Sequence, residues 1–217
     1  MKKLLYLLAI VIFTSCNEKK PNKQKIFTKT ITDSKYKKLL SKFKTISIDT
    51  LEVYSSEDYG NYQGVRLDSL DAILLPKEIV DEYFLEHDLY ACFKFEINST
   101  KIGLLTRTPS TYVPSSIKLF IYNKTLDNIS EYIELAENWG DAGDALVKTS
   151  WIIKSKKNEI IALIKVSESH DHSVENEKDT IIESWDNHYL IDLLKPKIDT
   201  INKDSESLKK RFKLLLK

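Results

Sequence analysis

The sequence predicts a β-rich α+β domain: an antiparallel meander of about seven strands, two short helices upstream, and an amphipathic helix at the C-terminus. Three observations carry this. Residues 89–97 alternate apolar and mixed side chains with period two. Short apolar runs follow at close spacing, separated by turn residues. Before them, apolar residues recur at the 3–4 spacing of a helix face.

The elements follow in chain order. Asp33 is placed to cap a short helix in which Tyr36, Leu39, Leu40 and Phe43 form one apolar face. Residues 45–54 alternate like a strand, and Ser55 to Gly64 is rich in turn residues and tyrosine. Asp68 is placed to cap a second helix, with Leu70, Ile73 and Leu74 turned inward. Pro76 interrupts it, because proline cannot donate the helical hydrogen bond. Ile79, Val80, Tyr83 and Phe84 point to its resumption.

The expected meander runs through residues 89–97, 102–108, 117–122, 129–136, 146–154, 159–167 and 180–192. Its turns fall at Asn98–Lys101, Pro109–Pro114, Asn123–Thr125, Trp139–Asp144 and Lys156–Asn158. No fixed repeat marks a propeller. The apolar faces of the upstream helices need cover, which favours one sheet packed on them. At the C-terminus Leu208, Phe212 and Leu215 share a helical face ringed by Lys209, Lys210, Arg211, Lys213 and Lys217. Such a helix packs on its own domain or lies on an anionic membrane.

The N-terminus carries an address. Met1-Lys2-Lys3 precedes an apolar run from Leu4 to Phe13, then Thr14-Ser15 and Cys16. A basic head, a short apolar body and small residues before a cut site make a secretory signal. The run is too short for a spanning helix, which needs about 20 residues. Phe13-Thr14-Ser15-Cys16 resembles the lipobox of bacterial lipoproteins, although Phe13 stands where leucine is usual. The resemblance implies cleavage before Cys16 and acylation of its thiol and its new amine. It implies no fold for the remainder.

The expected organisation is a signal over 1–15, lipidated Cys16 and a lysine-rich tether over 16–30, and one globular domain over 31–217. No aspartate follows Cys16 directly, and no acidic run does. In lipoproteins these are sorting signals for other destinations, so the expected position is the outer membrane, facing the periplasm.

Composition narrows the function. The chain holds 33 basic and 32 acidic side chains, a balance that argues against a nucleic-acid partner. There are two cysteines, and with Cys16 acylated Cys92 has no partner for an internal disulfide. No G-x-S-x-G elbow or P-loop array occurs, and the motifs point to no cofactor.

Two segments are candidates for chemistry. In Glu168-Ser169-His170-Asp171-His172, alternate residues of a strand face one side, so His170 and His172 can converge on a metal such as zinc, copper or nickel. Glu168, Glu175, Glu177 and His188 are the candidates to complete the shell. The second is Glu137 to Asp144, where Glu137, Asp141 and Asp144 offer oxygens and Trp139 offers a stacking surface. Their spacing does not follow the EF-hand. The resulting expectation is a lipid-anchored envelope lipoprotein with a non-catalytic binding, accessory or protective domain. Its partners would be the membrane and an envelope protein. The alternative is a metal-dependent hydrolase using His170 and His172.

Overall fold

A computed structural model describes residues 34–55, 60–79, 89–108, 116–195 and 197–216. The expected export signal, Cys16 and the expected tether, with Asp33, Val80, Tyr83 and Phe84, lie outside the described residues, as does the 109–114 loop. Among the described residues no helix is long and apolar enough to cross a membrane.

Helix α1 spans Lys37–Lys42 and buries Leu39 and Leu40. The expected strand over 45–54 divides into β1, Lys44–Thr45, and β2, Thr50–Val53. After β3, Val65–Arg66, comes α2, Ser69–Ala72. Asp68 caps α2 as expected: its carboxylate accepts from Asp71 N at 3.0 Å, and the Asp71 carboxylate accepts from Asp68 N. Lys42 bridges to Asp71 and, at 3.3 Å, to Asp68, tying α1 to α2. The inward face of α2 is not the expected one. Leu70 and Ile73 are 65% and 63% exposed; of the three expected residues Leu74 packs against the core, beside Ala72, Leu75 and Ile79, which are buried. The helix is one turn long, so the capping geometry and Pro76 set its rotation, and periodicity over so few residues does not.

The remaining strands are β4 (Tyr90–Glu96), β5 (Lys101–Thr108), β6 (Ser116–Asn123), β7 (Asn128–Asp141), β8 (Asp144–Lys154), β9 (Ile160–Asp171), β10 (Ile182–Asp192) and β11 (Thr200–Asn202). Helix α3, Ser205–Arg211, follows. The sheet thus has eleven strands among the described residues, against the seven expected, in the order β1-β4-β5-β6-β7-β8-β9-β10-β11. β2 joins β8, and β3 joins β4. The additional strands are two to four residues long, too short to show a period. The β1–β4 pair is parallel, so the sheet is mixed where an antiparallel one was expected. Parallel pairing of a short edge segment needs a distant partner, and nothing local signals it.

The sheet bends at β7. Residues up to Ala136 pair with β6, and from Glu137 onward they pair with β8. Opposite Ile117 and Lys118 the register slips, and Leu135 and Ala136 are both buried at that bulge. The Ser150 hydroxyl donates to the Leu135 carbonyl there. The bend folds the two halves of the sheet onto a shared core that includes Phe95, Leu105, Leu119, Ile152, Ala162 and Ile164.

Each outer face carries its own cluster. Leu104, Phe120 and Tyr122 pack against Leu39, Leu40 and Phe43 of the α1 region. Trp151, Leu163 and Leu190 pack against Leu208 of α3, with Phe212 and Leu215 alongside. The C-terminal helix therefore covers its own domain. The order is helix, sheet half, sheet half, helix. In β4 a bulge between Ala91 and Phe93 switches the alternation, so Ala91 faces the helices while Phe93 and Phe95 face the shared core.

Candidate functional site

Strands β7 and β8 meet in a two-residue turn. Asp141 pairs with Asp144 across Ala142 and Gly143, whose φ values are +48° and +90°. Positive φ at both centres is the hairpin geometry that matches strand twist. A side chain at Gly143 would meet the Asp171 carbonyl at 2.9 Å. The break expected at Trp139–Asp144 is thus confined to its last residues, and Trp139, Gly140 and Asp141 continue β7.

Register then aligns the two candidate segments on one face. Asp141 faces Asp144, Asp144 faces His170, and His170 faces Glu183. The adjacent row is Trp139, Leu146, Glu168 and Trp185. Directly opposed residues lie on the same side of a sheet, so both rows share a surface.

His172 sits past the end of β9, in a 3-10 turn over His172–Val174 that Asp171 caps by accepting from Ser173 N at 2.9 Å. The turn is held to the sheet where His172 N donates to the Ile181 carbonyl at 3.1 Å. It places the two imidazoles edge to face with centroids 4.7 Å apart. One ligating atom from each of His170, His172 and Glu175 lies within 4.8 Å of the others.

His170 Nδ1 is 2.8 Å from Asp144 Oδ1, and its Nε2 is 3.8 Å from Glu175 Oε1. The Asp144 hydrogen bond holds this imidazole above its ordinary pKa. His172 Nε2 is buried without a hydrogen-bond partner, 3.7 Å from Glu183 Oε1.

Other expected ligands go elsewhere. Glu168 accepts from Trp185 Nε1 at 2.7 Å and from Asn187 Nδ2. His188 is buried beside Ser205 at the start of α3, where burial lowers its pKa. Glu177 is exposed and is not part of the group. In the second candidate segment, Glu137 pairs with Lys148 at 3.5 Å, Asp144 turns to His170, and Asp141 is exposed.

Nothing in the local sequence links the two segments or marks Glu183 and Trp185. Both face β9 only through the β9–β10 register, which no local motif encodes.

Deeper in the sheet, Lys118 Nζ lies 3.0 Å from Thr108 Oγ1, 2.9 Å from Ser116 Oγ and 3.0 Å from Glu134 Oε1. Lys148 reaches Glu134 Oε2 at 2.7 Å. This ionic group spans the bend, joining β6, β7 and β8. At the far end of β8 lies a cavity of about 290 Å³, lined by Thr45–Asp49, Phe95, Glu96, Lys154 and Ile160. Comparison of the chain with protein-family models, with curated proteins and with solved structures finds no match.

Proposed function

We propose that the chain is a lipid-anchored envelope lipoprotein whose folded part is a non-catalytic binding module. Acylated Cys16 holds it on the outer membrane, facing the periplasm. The free end of β7–β10 binds an envelope protein. The observation that supports this reading is the row Trp139, Leu146, Glu168, Trp185 beside the histidine pair: Trp185 is 46% exposed although it stands on the face that elsewhere closes over the shared core. Val174, Ile181 and Ile182 are exposed at the same end. Exposed apolar side chains at one end of a sheet mark interaction sites, and tryptophan is enriched where interface energy concentrates.

Acylation and recognition are tested separately. A fatty-acid analogue labels the wild type and not Cys16→Ala, and label retained in the variant overturns the anchor. Crosslinking in intact cells gives a defined adduct with one partner at fixed stoichiometry, lost in Trp139→Ala/Trp185→Ala. An adduct that survives the double substitution, or none in the wild type, overturns the binding surface.

A further inference from the structure

We propose that His170, His172 and Glu175 form a binding site for a divalent first-row transition metal of the zinc class, with Asp144 as the positioning residue for His170. The inference is independent of the protein-binding surface proposed above.

The ligand chemistry comes first. Two imidazole nitrogens and a carboxylate oxygen suit zinc, copper(II) or nickel, whereas calcium and magnesium require oxygen cages. The tautomer of His170 follows from its partner. A carboxylate oxygen accepts, so the 2.8 Å hydrogen bond with Asp144 Oδ1 puts the proton on Nδ1 and leaves the Nε2 lone pair free. That nitrogen faces Glu175. A carboxylate on one ring nitrogen, with the other turned to the ion, is the usual arrangement of a metal-bound histidine.

The second observation concerns His172. Its Nε2 is buried with no hydrogen-bond partner, although it stands between the His170 ring and the Glu183 carboxylate. Buried polar atoms are nearly always satisfied, and one that is not calls for an explanation such as an ion. A metal at this point supplies the missing partner.

Distances agree with this. Tetrahedral zinc with bonds of about 2.0–2.2 Å places its ligand atoms roughly 3.4 Å apart. The present atoms lie within 4.8 Å. Glu175 is exposed and begins no regular element, so rotation of its side chain closes the set. Glu183 stands 3.7 Å from His172 Nε2, in reach of the fourth position. Asp171 carries no part of the load, because its carboxylate caps the turn that holds His172. The site joins the β7–β8 turn, the end of β9 and the start of β10.

The test uses the full-length acylated protein extracted in detergent and stripped of metal by chelation. Zinc titration is expected to show one equivalent per chain, with micromolar affinity or tighter and no competition from magnesium or calcium. Cobalt(II) in place of zinc is expected to give the visible absorption of tetrahedral coordination. His172→Ala abolishes both signals, and its unfolding curve without metal stays near that of the wild type. Asp144→Asn retains the ligands and weakens zinc binding by about 10–100-fold. Absence of stoichiometric zinc, or binding that persists undiminished in both variants, overturns the site.

Discussion

Replacing Glu134 by leucine removes the carboxylate that Lys118 and Lys148 share inside the bend of the sheet. Lys118 is 3% exposed, and the Glu134 carboxylate lies 3.0 Å from its Nζ. After the substitution, the Thr108 and Ser116 hydroxyls remain around it, and Lys148 keeps Glu137. Removing one partner of a buried pair costs about 3–5 kcal/mol. The hydroxyls that remain place this case near the lower end.

Proton linkage gives an independent figure. Burial pushes the Glu134 carboxyl up, but Lys118 and Lys148 outweigh it and bring it from 4.5 down to about 2. A depression of that size corresponds to about 3 kcal/mol. Because the folded-state pKa is the lower one, this stability is complete above pH 4.5 and is lost as pH falls through about 2.

Urea unfolding followed by tryptophan fluorescence measures both consequences. At pH 7 the midpoint of Glu134→Leu drops by roughly 1.5 M, taking a slope of about 2 kcal/mol per molar. Near pH 2 the two curves converge. Adding Lys118→Met removes the buried ammonium whose pair with Glu134 was broken and restores most of the loss. A loss below about 1 kcal/mol, a gap that stays constant with pH, or a double variant weaker than the single one would refute the reasoning.

Three further outcomes follow. Gly103→Ala forces a methyl to within 2.6 Å of the Phe95 ring and 3.0 Å of Leu119, both in the core, and thermal unfolding is expected to show about 1–3 kcal/mol of destabilisation. Ala142→Asn places a residue tolerant of positive φ at the +48° position before Gly143, and raises stability by about 0.5–1 kcal/mol in the same assay; unchanged or lower stability would contradict the turn. Cys92 is buried, and burial pushes its thiol up to about 11. It should therefore resist a thiol reagent at pH 8 until urea unfolds the chain, and rapid labelling of the folded protein would show that the strand opens.

The strands of the meander were legible because each carries its own period and its own turn. Residues 102–108 and 117–122 read directly as β5 and β6, and Asp68 read directly as a cap. What failed was long-range or very short. The 45–54 run appeared as one strand, but its first residues pair with β4 and its last with β8, on different halves of the sheet. Trp139-Gly140 looked like a break, yet the 14-residue β7 runs through it to the turn at Ala142 and Gly143.

The candidate site divides in the same way. The residue types and the His-x-His spacing are local, and so is the lipobox resemblance of Phe13-Thr14-Ser15-Cys16, which depends on the linear chain. Turn chemistry and side-chain alternation are likewise settled between near neighbours, so the sequence by itself determined the β-rich class, the hairpin order and the candidate histidines. Only tertiary structure decided that Asp144 hydrogen-bonds His170, that Glu183 faces it from β10, and that Trp139 and Trp185 lie in the adjoining row. Those pairings depend on inter-strand register across β7 to β10. A slip of one residue would turn every one of these side chains to the opposite face.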